Sequence, residues 1–282
     1  MTMTTDADKL KEKTGILLEE IDRNQFLLSQ CKPPTDFEIK QTDKYNLIHN
    51  TYSSNSVEGN SFTLIETSMW LSDGLTVNGK TRNELLEVEG HGNAFRDMLR
   101  IARENSIDYI AKNLLIIIQD LHSTFYKLIN SQYAGVYRDF GARIEQASFT
   151  PPGPNELLAR MDNFWKSFPT DVETLHPVLL AASAHLKLAQ IHPFCDGNGR
   201  ISRLLMNLLL VNGGYQIINI DKDIRFDYYA ALDKSWTQAP DNNSFLCFIA
   251  EHELKTQKSY MEFCKYRETS APYKKNPKSQ KP

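Results

Sequence analysis

The sequence predicts an all-α fold interrupted by one short β-hairpin flap. Three observations carry that prediction. Apolar residues recur at helical spacing over most of the chain, Gly and Pro punctuation is sparse and clustered, and a single stretch shows partial alternation. At 282 residues the chain falls between one domain and two, with ample length for a sizeable core.

In chain order, residues 8–31 place Leu10, Ile16, Leu17, Ile21, Phe26 and Leu27 near helical spacing, until Lys32-Pro33-Pro34 stops the run. A second helix is predicted over 36–57, with Ile39, Tyr45, Ile48 and Tyr52 on one stripe and Gly59 beyond its end. Residues 63–71 read as a short helix, followed by turns at Ser72-Asp73-Gly74 and Asn78-Gly79. Asn-Gly is a hairpin signal, but its flanks are short and helical periodicity resumes over 84–101, so a loop is predicted. Residues 107–129 and 177–190 are too rich in apolar residues for a one-sided stripe and are predicted to form the buried centre of a bundle. Between them, residues 135–152 alternate around Gly141 and end in Pro151-Pro152, which predicts the flap. Further helices are expected over 202–211, 226–236 and 244–267. The Lys-, Pro- and Ser-rich tail, 269–282, has no periodicity and is expected to be disordered.

Composition excludes several classes. Lys and Arg total 32 against 35 Asp and Glu, a net charge of −3 that argues against a surface given over to nucleic acid. With 41% hydrophobic and 24% charged residues, the chain is not a disordered polyelectrolyte. Cys31, Cys195, Cys247 and Cys264 form no CxxC pair, so neither a zinc knuckle nor a disulfide scaffold is expected. The N-terminus lacks the basic and apolar regions of a signal peptide, and no apolar run approaches the ~20 residues of a membrane span. A cytoplasmic protein with no membrane or nucleic-acid partner is the expectation.

The chemistry concentrates in Ile191-His192-Pro193-Phe194-Cys195-Asp196-Gly197-Asn198-Gly199-Arg200-Ile201-Ser202-Arg203. Pro193 disfavours the α region at His192, so the preceding helix is expected to end near Gln190 with the imidazole on a loop. Gly197 and Gly199 permit a tight turn and close approach of a ligand, just before a helix starting near 198–200. A helix N-terminus attracts anions, and Arg200 and Arg203 would complete such a site. Asp196 is placed to hold a divalent metal, and His192 can take a proton near neutral pH. A calcium loop fails, because it needs Asp or Asn at Arg200 and Gly at Ile201. His185 is read as a packed helix residue, with no zinc pairing to His192. Taken singly, each of these residues is an ordinary turn or cap; together they are the parts of a phosphoryl or nucleotidyl transfer site.

The run from His192 to Arg203 resembles the full signature of the Fic (Fido) family, HPFx[DE]GNGRxxR, with weaker similarity over roughly 54–250. The resemblance implies a Fic-type helical bundle and transfer of AMP from ATP to a Ser, Thr or Tyr hydroxyl of a protein. It implies His192 as base, Asp196 as the Mg²⁺ ligand, Gly197, Asn198 and Gly199 as the phosphate cradle, and Arg200 and Arg203 as triphosphate-binding residues. Phe194 resembles the apolar anchor of the loop. The flap is similar to one that docks an extended target segment, which implicates Tyr137, Arg143, Ile144 and Glu145. The segment from Phe226 to Leu232 resembles the family's adenine-side helix, with Tyr228 and Tyr229 as candidates. The chain departs from the family at Ser235-Trp236, where an Ala-Asn pair is common.

Upstream, Ser54 and Glu58 stand at i and i+4 on one helix face, with Glu58 in the last turn where the macrodipole disfavours an anion. Ser54-Asn-Ser-Val-Glu58-Gly59 resembles the family's inhibitory motif, [ST]xxxE[GN], which implies that Glu58 pairs with Arg203 and keeps it from the γ-phosphate. The expected organisation is an N-terminal helical region over 1–105 with the inhibitory helix at about 36–58, a catalytic core over 106–268, and the tail. Three alternatives stand beside transfer of AMP: a Fic enzyme that removes AMP, a non-catalytic, nucleotide-responsive binding module, and transfer of another phosphate-containing group. The sequence leaves open the target, the trigger and the oligomeric state.

Overall fold

Three helices of the N-terminal region begin in the same way, on a Thr whose hydroxyl caps a backbone N–H while a Glu three residues on reaches back to the cap. These capping boxes are Thr35–Glu38, Thr63–Glu66 and Thr81–Glu84. The computed structural model describes residues 6–75, 78–144, 148–237 and 243–269. In order the helices are α1 (Asp6–Ser29), α2 (Asp36–Val57), α3 (Leu64–Ser68), α4 (Arg82–Glu104), α5 (Ile107–Lys112), α6 (Leu114–Tyr126), α7 (Pro154–Thr174), α8 (Pro177–Ile191), α9 (Asn198–Asn212), α10 (Arg225–Thr237) and α11 (Asn243–Thr269). A π turn (Met69–Asp73) extends α3, and a 3₁₀ turn (Lys222–Ile224) leads into α10. Among the described residues no helix is long and apolar enough to cross a membrane.

The all-α prediction holds, with three differences in detail. The helix expected over 107–129 is broken at Asn113, which leaves helical geometry at φ −109° while its amide donates to the Tyr109 carbonyl at 2.9 Å. α7 was not predicted, although Leu157, Met161, Phe164 and Phe168 supply a buried stripe and Pro154 a suitable first residue. The hairpin is the third. Among the described residues 135–152 contain no strand, because their polar groups are used elsewhere. The Arg138 N–H donates to the Pro193 carbonyl at 2.9 Å, and the Ser148 N–H and hydroxyl donate to Asp233 at 2.8 and 2.7 Å. The stretch is a loop sewn to the core at one side and to α10 at the other. The predicted disorder of the tail lies, beyond Thr269, outside the described residues.

α8 and α9 form the central helical hairpin, and most side chains on them are buried. α4 and α6 pack beside α9, α11 and α10 close the opposite flank, and α1 lies along α11. A single apolar core runs through all of them, from Ile21 of α1 and Val57 of α2 to Leu254 of α11. The N-terminal region therefore shares its core with the remainder of the chain. Gly90 of α4 touches α6 so closely that a Cβ there would overlap the Phe125 carbonyl oxygen. α2 differs from its neighbours. Its last two turns cross α4 and reach α9, and what they bury is largely polar: Asn50, Thr51, Ser53, Ser54, Asn55 and Ser56.

Candidate active site

The loop between α8 and α9 begins where Pro193 forbids further helix. α8 ends at Ile191, one residue later than predicted, and His192 adopts φ 53° and ψ 58°. It is the only non-glycine residue with positive φ among the described residues, a conformation that costs about 1–3 kcal/mol and persists only where the surroundings impose it. The His192 Nδ1 faces the Ala189 carbonyl at 3.4 Å, which favours a proton on Nδ1 and leaves the Nε2 lone pair free. Burial holds the imidazole below its ordinary pKa, so it is neutral at pH 7.

Phe194 anchors the loop. Its ring is 1% exposed and lies flat on the His122 ring, with centroids 3.7 Å apart. His122 has its tautomer fixed by its neighbours: the Gly135 N–H donates to Nδ1 at 2.9 Å, so Nε2 carries the proton and donates to the Asp196 carbonyl at 3.1 Å. Burial pushes this imidazole down to about 4, which keeps it in that role at neutral pH. Asn198 accepts from the Phe194 N–H at 2.8 Å and donates to the Phe194 carbonyl at 2.9 Å. Its side chain is thus an internal brace, and only its main chain is left to face a ligand. Gly197 sits at φ 79°, and a Cβ there would lie 2.6 Å from the Phe125 ring. The exposed Asp196 carboxylate accepts from the Gly197 N–H at 2.6 Å.

Arg200 and Arg203 lie one turn apart on α9, both almost wholly buried. Arg200 meets Glu87 at 3.0 Å, Asp196 at 3.2 Å and the Asn55 amide oxygen at 3.4 Å, and it lies over the Phe125 ring. Arg203 donates to the Ser54 hydroxyl at 3.0 Å, the Ser54 carbonyl at 2.9 Å and the Glu58 carboxylate at 2.7 Å. Burial works to raise the Glu58 carboxyl, and Arg203 and Arg200 overcome it, holding it below the usual carboxylate range. Glu58 also closes over the helix N-terminus, because a Cβ on Gly199 would collide with its Oε1.

The remaining expected residues divide. Tyr228 is 1% exposed, takes a hydrogen bond from Arg203 at 3.4 Å and meets His185 Nε2 at 3.0 Å. It is buried behind Arg203 with no face free for a base, a correction to its expected adenine-side place. Tyr229 is only partly buried, with the Arg225 guanidinium 5.5 Å from its ring centroid, and stays available for that place. Tyr137 turns inward against Phe194, and burial raises its phenol to about 12, so it supports the loop and does not face a partner. Arg143 is exposed and Ile144 half-buried, while Glu145 lies outside the described residues. Sequence reasoning missed Glu87, Asn55, His122 and Arg138, none of which stands in a recognisable spacing with the residue it supports. No group of three or more His, Cys, Asp or Glu residues among the described residues could hold a metal by itself.

Residues 115–210 match the Fic/DOC family. The protein adenylyltransferase Fic of Aedes aegypti is 32% identical over 89% of this chain and 50% of its own length, and that of Drosophila erecta is 33% identical over 90% and 50%. The chain thus spans about half the length of the curated relatives it matches. Among solved structures, Fic-1 of C. elegans superposes with a TM-score of 0.77 at 22% identity, over 92% of this chain and 73% of that one, a likeness of fold. The His192–Arg203 loop lies inside the matched segment, and the bundle around it has the fold of that structure.

Proposed function

We propose that this chain is an autoinhibited, Mg²⁺-dependent protein adenylyltransferase. The residues between 106 and 268 serve as the catalytic core, and the helix ending at Glu58 acts as its brake. The observation that carries the reading is the Glu58 carboxylate, which holds Arg203 at 2.7 Å and covers the α9 N-terminus beside Gly199. A carboxylate there occupies the same donors that a terminal phosphate requires.

In the active arrangement, His192 Nε2 accepts the proton of a target Ser, Thr or Tyr hydroxyl. The hydroxyl oxygen then bonds to the α-phosphorus of ATP as the bond to pyrophosphate breaks. The main-chain N–H groups of Asn198 and Gly199, joined by that of Gly197 once the Asp196 carboxylate releases it, receive phosphate oxygens, with Arg200 and Arg203 neutralising charge. Asp196 fits a Mg²⁺ site of the usual kind, one exposed carboxylate completed by substrate phosphates, and the ion would supply further neutralisation there. Tyr229 takes the adenine side. Arg143 and Ile144 of the flap meet the target segment, and self-modification is expected where a hydroxyl of the chain can reach the site.

The test uses labelled ATP, Mg²⁺ and a lysate. The parent protein labels little, and Glu58→Gly labels strongly. In that background His192→Ala lowers transfer by about 10²–10⁴-fold while ATP binding is unchanged, as expected for loss of a general base. Absence of label with Glu58→Gly, despite normal ATP binding, overturns the transferase reading.

A further inference from the structure

Arg138 is a buried cation that meets no anion among the described residues. It is 3% exposed, and among the described residues every oxygen its guanidinium bonds is a main-chain carbonyl. Nε donates to His192 at 2.8 Å, Nη1 to Phe140 at 2.6 Å, and Nη2 to Pro152 at 2.7 Å and Ile191 at 3.4 Å. Burying an unpaired guanidinium is costly, so the carbonyls must return that cost in a specific geometry.

Two of these oxygens belong to the end of α8. The last carbonyls of a helix have no intrahelical donor, and the chain usually supplies one from the residues just beyond. Here the residue after His192 is Pro193, which has no N–H to give. The guanidinium completes this terminus from outside, at the negative end of the helix dipole. By holding the Ile191 and His192 carbonyls, and the Pro193 carbonyl through its own N–H at 2.9 Å, Arg138 imposes the left-handed backbone that points the imidazole into the site.

The other two oxygens, on Phe140 and Pro152, bracket the second half of the flap. One planar fork thus closes the base of the loop and caps the helix that carries His192. A lysine could not do both, since its ammonium is a compact point charge and not a fork of fixed directions. We propose that Arg138 is a positioning residue that locks the flap and the His192 backbone into one rigid unit, so that a target segment held by the flap is presented in register with the base. This inference rests on the transferase reading for its consequence in catalysis, but not for the clamp itself.

The experiment therefore has two arms. In the Glu58→Gly background, Arg138→Lys and Arg138→Gln are expected to lower kcat at least tenfold with ATP affinity unchanged. Amide hydrogen exchange over 139–144 and 148–150 is expected to rise at least tenfold, with α9 unaltered. On the protein without any change at Arg138, the Arg138 amide itself is expected to exchange as slowly as α8 and more slowly than the flap tip. If Glu58→Gly transfers no AMP, the functional reading fails while exchange still decides the clamp. Unchanged exchange in the flap, a loss of ATP affinity matching the loss of kcat, or a freely exchanging Arg138 amide overturns the positioning role.

Discussion

The last two turns of α2 and the helix α9 that they reach are both hidden from water, yet they are held in different ways. α9 buries Ile201, Leu204, Leu205, Leu208, Leu209 and Leu210, whereas α2 buries Asn50, Thr51, Ser53, Ser54, Asn55 and Ser56. Apolar burial is worth about 25 cal/mol per Å². A buried hydrogen bond nets only about 1 kcal/mol, because water is given up in exchange. The central hairpin is therefore a fixed frame, and the end of α2 is a latch of a few directional bonds. Depth of burial alone does not tell how a helix is held; the chemistry of the buried face does.

That contrast can be broken by experiment. The largest expected effect is in the frame: Leu208→Ala should cost about 2–5 kcal/mol by leaving a cavity in α9, measured by urea unfolding. In the latch, Ser54→Ala removes one acceptor from Arg203 and leaves the Ser54 carbonyl and Glu58 in place. Its cost should lie near the lower end of the ~1.5–3 kcal/mol range for a hydrogen bond to a charged group, because two other acceptors stay on Arg203. A loss as large as that of Leu208→Ala would show that the latch is part of the frame. The smallest effect concerns pH. The folded Glu58 carboxyl titrates below its unfolded value, so its contribution is complete above the ordinary carboxylate pKa and is lost as pH falls through the lower, folded one. The stability difference between the parent and Glu58→Gln should stay flat from about pH 8 to 6, and shrink only once pH drops beneath about 4.5. A change between pH 8 and 6 would mean that some group other than Glu58 governs the latch.

Much of this was legible in the sequence, for reasons that differ by region. The helices follow from periodicity, and the catalytic loop from a run in which His, Pro, Asp, Gly and Arg each have a local reason for their place. What could not be read were residues whose meaning is a distant contact. Glu87 has no marker on α4 to distinguish it from Glu84 or Glu89, yet it alone of the three meets Arg200. Tyr228 and Tyr229 are adjacent and chemically identical, and helix rotation sends one behind Arg203 and leaves the other toward the surface. The flap alternates as a strand does, but a ladder needs unused N–H and C=O groups, and Arg138, Phe140 and Ser148 spend theirs elsewhere.

The close approach of α4 to α6 has a consequence for the far side of Phe125. Gly90 presses on the main chain of that residue, while its ring fills the space next to Gly197 and lies 4.7 Å beneath the Arg200 guanidinium. Phe125 thus works as a spacer block gripped between two glycines, one on a supporting helix and one in the anion loop. The width of the loop at Gly197 is gauged from outside the motif, and a single methyl group added at Gly90 would be felt as a displaced ring at Gly197.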